Sequence, residues 1–143
     1  MEEQNFSKQM MSKFRREHPR PSTEHLKNLV NIANNVKRAA NIARPVPKEV
    51  LDNADEGVKH ISAAMDLHGN KANLSEVLAH LKPGVDAITG VGHAIFRLGK
   101  DVHSKLEAAS EDFPGVYSDV MDTVVGVPQE HLTNFVDEAN KGN

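Results

Sequence analysis

The sequence predicts an all-α protein, a single-domain bundle of six to seven helices around one long central helix. Apolar residues recur at helical spacing through most of the chain. The composition agrees, because the 143 residues include only five Phe, one Tyr and no Trp, and runs of β-branched residues are scarce. A chain of this length buries enough surface to fold as one domain.

Residues 1–20 are predicted to form a separate basic arm. Their apolar residues recur at helical spacing among lysines and arginines, which indicates a short amphipathic helix: Phe6, Met10 and Phe14. His18 and Arg20 each precede a proline, which disfavours the α-helical conformation, so we expect an extended link to residues 21–143. Two arrangements are open: the arm docks on a neighbouring molecule, or it folds back on its own bundle.

The first bundle helix is predicted from Ser22 or Thr23 to about Arg44, where Pro45 ends it. Its outer face carries five asparagines, which are poor helix formers and therefore cost stability. They are Asn28, Asn31, Asn34, Asn35 and Asn41.

Two further helices follow. One opens at Val46 and Pro47, and a glycine and an asparagine, Gly69 and Asn70, end it. The next starts at Asn73, which with Glu76 resembles a capping box. We expect this helix to be short, because residues 82–84 contain a proline and a glycine that break it.

The central helix is predicted over residues 83–109. Its inward positions follow an unbroken spacing of three and four residues, with charged residues on the other side. Gly92 and Gly99 fall on this inward face, where glycine costs about 0.5 to 1 kcal/mol relative to alanine. We expect another helix backbone to approach closely at both glycines. Apolar spacing from Phe113 to Val124 and from Pro128 onward predicts the last two helices.

The charges are unevenly distributed along the chain, although the formal net charge is only −3. Residues 1–44 contain nine Lys or Arg and four Glu, whereas residues 45–143 contain eight Lys or Arg and sixteen Asp or Glu. From Leu106 onward Lys141 is the one cation beside eight acids. The chain therefore joins a basic amino-terminal third to an acidic carboxyl-terminal quarter.

Most common catalytic and metal-binding patterns are absent from the sequence. The eight histidines form no HxxxH or HExxH pair, which favours surface or helix-end histidines over a metal site. There is no phosphate loop, no GxSxG elbow and no GxGxxG motif. We therefore expect no enzymatic activity, no catalytic residues, no cofactor and no metal.

The sequence lacks cysteine, a signal-type apolar run and an uncharged stretch of membrane-spanning length. We expect a reducing intracellular compartment such as the cytoplasm. The two seam glycines leave a membrane-active bundle open, but the charged residues of the central helix make a soluble bundle the preferred interpretation.

These observations predict a non-enzymatic association or assembly protein, structural or adaptor in role, whose basic arm engages another copy or a protein partner. The expected partner-binding residues are Phe6, Met10, Phe14, Arg15, Arg16, Arg20, Lys27 and Arg38. The alternative is nucleic-acid binding or packaging, in which the same cations contact phosphates and the asparagines add hydrogen bonds.

Overall fold

The computed structural model describes residues 21–44 and 46–141, and this part of the chain forms a bundle of six helices without strands. The all-α fold is confirmed. The helices are α1 (Pro21–Ile42), α2 (Lys48–Gly69), α3 (Leu74–Phe96), α4 (Lys100–Ala109), α5 (Val116–Val124) and α6 (Val127–Lys141). The basic arm, residues 1–20, lies outside the described residues, and with it the predicted link before Pro21. Within the described chain, no helix is long and apolar enough to cross a membrane.

The helices α1 and α3 each contact all five of the others, so together they form the centre of the bundle. Leu26 and Leu29 of α1 and Ile88 of α3 are fully buried. The other helices add fully buried side chains to the same core, among them Ile61, Leu106 and Phe135. Burying such a side chain contributes about 1.5 to 3 kcal/mol, which explains why the apolar faces decide the packing.

The most extensive helix pairing, between α2 and α3, depends on two glycines, Gly57 and Gly84, for which no helix contact was predicted. A Cβ atom on Gly57 would lie 2.6 Å from Cγ2 of Ile88, and one on Gly84 would lie 2.7 Å from Cγ1 of Ile61. Each distance is too short for a real contact. The two helices therefore pack closely because neither glycine carries a side chain.

The prediction of one central helix over residues 83–109 is wrong at both ends. Helix α3 begins at Leu74 and continues through Pro83 instead of breaking there. Proline removes the hydrogen bond to the carbonyl four residues earlier, in this case Ala79. Both Pro83 and Ala79 are exposed, so water can bind the carbonyl that the helix leaves free.

The predicted central helix also ends early, because α3 stops at Phe96 and α4 starts at Lys100. Gly99 lies between them with a φ of 94°, a conformation that side chains disfavour and glycine adopts readily. Leu98, in the same turn, is 42% exposed. Leu106 of α4 is buried in the same core, so the predicted inward-facing positions continue beyond the turn.

Several helix ends agree with the sequence. Oδ1 of Asn73 accepts a hydrogen bond of 3.0 Å from the backbone N–H of Glu76, which confirms the predicted cap of α3. Helix α2 ends at Gly69 as expected, and α6 begins one residue before Pro128.

Candidate functional site

A polar cleft of about 660 Å³ lies between α1 and the chain from Pro114 to His131. Sites for small ligands fall in the range of roughly 300 to 1,000 Å³. We call this site the asparagine cleft. It is lined by Asn28, Asn31, Ile32, Asn34, Asn35, Arg38, Pro114, Gly115, Asp119, Asp122, Val127 and His131.

Four of the five asparagines of α1 line this cleft. Asn28, Asn31 and Asn34 are exposed, and their carboxamides form no hydrogen bond within the described part of the chain. Asparagine is less favourable than alanine in a helix by up to about 0.7 kcal/mol, so four of them cost roughly 2 to 3 kcal/mol. The cost is incurred on one side of α1, where the exposed carboxamides of Asn28, Asn31 and Asn34 offer donors and an acceptor to a ligand.

Two carboxylates face the asparagines from α5. Nδ2 of Asn35 donates a 2.6 Å hydrogen bond to Oδ2 of Asp119. Burial raises the pKa of the Asp119 carboxyl above its usual 3.8; the hydrogen bond from Asn35 opposes this rise and the nearby charge of Asp122 adds to it. Among the described residues, neither Asp119 nor Asp122 forms an ion pair. The cleft therefore contains two acidic groups whose charge no described cation neutralises by direct contact.

A cation closes one end of the cleft. The guanidinium carbon of Arg38 lies 4.3 Å from the centre of the Phe113 ring, and Nη1 donates a 3.4 Å hydrogen bond to Oδ1 of Asn35. The ring and the guanidinium attract each other through a cation–π interaction. Arg38 is thus held at the rim by contacts of its own.

His131 lines the cleft and is paired with His25 of α1. Nδ1 of His25 lies 3.0 Å from Nδ1 of His131, and Nε2 of His25 lies 3.4 Å from Oε1 of Glu138. Burial lowers the pKa of His131, as does the adjacent His25, while Glu130 and Asp122 raise it. A hydrogen bond between the two Nδ1 atoms requires one ring to donate and the other to accept, so it depends on the tautomer of each ring.

A second histidine pair lies between α2 and α3, where Nδ1 of His60 is 3.5 Å from Nδ1 of His80 and Nε2 of His60 is 3.5 Å from Oε2 of Glu56. Sequence spacing alone missed both pairs, because their members are on different helices. A signal existed for the first pair, since His25 and His131 each follow a Glu and precede a Leu at the start of a helix. In the part of the chain that the structure describes, no three potential ligands converge as a metal site.

The acidic residues Asp52, Asp55 and Glu56 form a separate, exposed group on α2. Nζ of Lys37 lies 3.1 Å from Oδ1 of Asp55, an exposed ion pair of the kind that contributes little to stability. Unlike the carboxylates of the asparagine cleft, this group is solvated and has a cation beside it.

Six of the eight predicted partner-binding residues belong to the arm, and two belong to α1. Phe6, Met10, Phe14, Arg15, Arg16 and Arg20 lie outside the described residues. Lys27 is exposed on α1, and Arg38 lines the asparagine cleft.

The two glycines predicted to pack helices also differ. Gly92 is buried, and a Cβ atom on it would overlap Oγ1 of Thr123 in α5. Gly99, which we expected on the same helix face, is in the turn before α4, and no heavy atom of another element lies within 4 Å of the position of a Cβ. Close approach to a neighbouring helix is therefore present at Gly92 and absent at Gly99.

No protein family matches the chain, and comparison with characterised proteins and with solved structures finds no significant similarity. The fold and the cleft define the class: an all-α bundle with a polar, acidic cleft beside its first helix.

Proposed function

We propose that this is a non-enzymatic association protein, in which the basic arm of one molecule engages the acidic carboxyl-terminal region of another copy. The observation that carries the proposal is the pair of carboxylates, Asp119 and Asp122, in one cleft without an ion-pair partner among the described residues. A partly desolvated carboxylate is stabilised by a cation that approaches it, because the low local dielectric strengthens the attraction.

The charge distribution supports association between copies. Every molecule carries both a basic arm and an acidic region, so the arm of one can meet the acidic region of the next. Such a contact is heterologous, and it builds rings or open chains according to its geometry. Opposite charges on the two surfaces also accelerate encounter and exclude wrong partners.

Nucleic-acid binding is the second candidate, since the exposed Lys27 and the cations of the arm suit phosphate contacts. In that function the asparagines of α1 would contact backbone or bases. They face Asp119 and Asp122, however, and those charges repel phosphate. We therefore prefer a cationic protein segment as the partner.

Sedimentation equilibrium of the full chain at low and high salt tests the proposal. We expect concentration-dependent association that weakens as salt is added, because salt screens the attraction between charged surfaces. The double variant Arg15→Glu with Arg16→Glu should associate more weakly than the natural chain. The matched control is Lys59→Glu with Lys105→Glu, which makes the same change in net charge at two exposed positions outside the arm.

A natural chain that stays monomeric under all conditions contradicts the proposal, as does equal weakening by both double variants. A salt titration with a labelled nucleic-acid duplex separates the second candidate. Tight binding with a steep salt slope, lost in the Arg15 and Arg16 variant, would favour nucleic-acid binding.

A further inference from the structure

We infer that the asparagine cleft is the docking site for residues 16–20 of a second copy, bound in an extended conformation. This inference rests on the proposed function and assigns its site. Asparagine side chains bind the backbone of the segment, and Asp119 and Asp122 bind its arginines. Three properties of the cleft and of the segment support it: the exposed carboxamides, the two acids without an ion-pair partner among the described residues, and the matching lengths.

The carboxamides suit a backbone that cannot pair with itself. Pro19 and Pro21 have no backbone N–H, and the residues before them are predicted to be extended, so this segment cannot form an internal helical ladder. Its carbonyl groups need external donors. The carboxamides of Asn28, Asn31 and Asn34, which are exposed and unbonded within residues 21–44 and 46–141, provide N–H donors for the carbonyls and oxygen acceptors for the remaining N–H groups.

The carboxylates suit the charges of the same segment. Asn35 binds Oδ2 of Asp119, and within the described chain Oδ1 accepts no hydrogen bond. A guanidinium donates to a carboxylate through charge-assisted hydrogen bonds, which are stronger than those between neutral groups. Arg38 does not occupy this position, because its guanidinium stacks on Phe113 at the rim.

The dimensions agree as well. From Asn28 to Arg38 the helix rises about 15 Å, at roughly 1.5 Å per residue. An extended chain advances about 3.3 Å per residue, so four to five residues cover the row. Arg16 and Arg20 are four residues apart and therefore both fit within its length.

We assign the segment to a second copy, as in the proposed function, because the arm of the same molecule is tethered to the start of α1. Arg20 directly precedes Pro21, the first residue of α1. Asn28 is seven residues further along, a rise of about 10 Å, and the carboxylate of Asp119 is beyond it at Asn35. The Arg20 of a neighbouring molecule has no such tether.

Binding of a fluorescein-labelled peptide of residues 12–21 to the full chain, followed by anisotropy, tests the inference. The protein is kept at concentrations where it is monomeric, so that the arms of other copies do not compete for the cleft. We expect Asp119→Asn with Asp122→Asn to weaken peptide binding by about tenfold or more, since charge-assisted hydrogen bonds are lost. Asn31→Ala with Asn34→Ala should also weaken it, and this pair retains the helix because alanine is the better helix former. The control Asp52→Asn with Asp55→Asn removes two carboxylates from the solvated group on α2 and should leave binding unchanged.

The outcomes separate the inference from the proposed function. If the peptide binds the cleft variants as tightly as the natural chain, the inference is wrong, and the proposed function stands provided that association still depends on Arg15 and Arg16. If the natural chain does not bind the peptide but does self-associate, the cleft is again excluded. If the natural chain neither binds the peptide nor self-associates, both fail. Selective loss in both cleft variants, with circular dichroism unchanged, supports the assignment.

Discussion

Asn35 and Asp119 are joined by a 2.6 Å hydrogen bond although 84 positions separate them in the sequence. The bond links the asparagine face of α1 to the acidic part of the chain, the two features that the charge distribution distinguishes most clearly. It holds the carboxylate partly out of water, in a position that raises its pKa. The hydrogen bond itself favours the charged carboxylate, and it therefore offsets part of that rise.

Replacement of Asn35 by alanine should raise the pKa of Asp119 further. The hydrogen bond from Nδ2 favours the charged carboxylate, so its loss leaves burial and the Asp122 charge unopposed. The measurement is an NMR titration of the Asp119 carboxyl in both proteins. The control is Asn34→Ala, because Asn34 is nearby and exposed but has no hydrogen bond to Asp119. This variant should leave the pKa of Asp119 unchanged. A lower pKa in the Asn35 variant would contradict the hydrogen bond.

Acidification should destabilise the fold through His131. Its pKa is lowered from 6.5 in the folded protein, so between the two values the unfolded chain binds more protons and stability rises with pH. The contribution is therefore complete above pH 6.5 and is lost as the pH falls from that value through the lower pKa of the folded protein. The groups facing the ring are His25, Glu130 and Asp122, and Glu138 lies beside His25.

Urea unfolding of the natural chain and of His131→Gln, at about pH 7.5 and about pH 5.5, tests this prediction. The variant should lose less stability on acidification than the natural chain. His93→Gln removes a histidine from α3 that takes no part in the pair, and it should retain the pH dependence. An equal loss of unfolding free energy between the two pH values in all three proteins would rule out His131 as the source of the pH dependence.

Gly92→Ala should destabilise the protein by about 1 to 3 kcal/mol, because the new methyl group would overlap the buried Thr123 of α5. Gly90→Ala is a close control two positions away in the same helix. No atom of another element lies within 4 Å of a Cβ there, so alanine should stabilise the helix by roughly 0.5 to 1 kcal/mol. Chemical unfolding measures both changes. If both substitutions change the free energy of unfolding in the same direction, the contact with Thr123 does not prevent a side chain at Gly92.

Pro83→Ala should stabilise α3. Alanine restores the N–H that bonds to the carbonyl of Ala79 and removes the steric conflict with it, an effect of about 1 to 3 kcal/mol after allowance for the stiffer unfolded chain with proline. Pro47, at the N-cap of α2, is exposed, and a helix start needs no internal N–H bond. Pro47→Ala should therefore change the midpoint of thermal unfolding much less. Stabilisation at neither position would argue that α3 does not continue through Pro83.

The sequence predicted most of the helices because a helix depends on local properties. The amphipathic spacing of Leu26 and Leu29, the cap at Asn73 and the stop at Gly69 act within a few residues, and all three agree with the structure. Two helix boundaries were predicted wrongly: the helix continues through Pro83, where a break was expected, and it is broken at Gly99, where it was expected to continue. Whether a proline ends a helix depends on solvent access to the freed carbonyl of Ala79, and a glycine in an apolar repeat fits a helix or a turn equally well.

By itself the sequence determined the all-α fold, the faces of the helices and the opposition between a basic arm and an acidic region, because these follow from residue types and their spacing. The tertiary structure decided which polar groups meet. Asn35 reaches Asp119, and His25 reaches His131, only because α1 packs against α5 and α6. The register of that packing is set by the burial of Leu26, Leu29 and Phe135 in one core, a property of the whole chain that no local pattern contains.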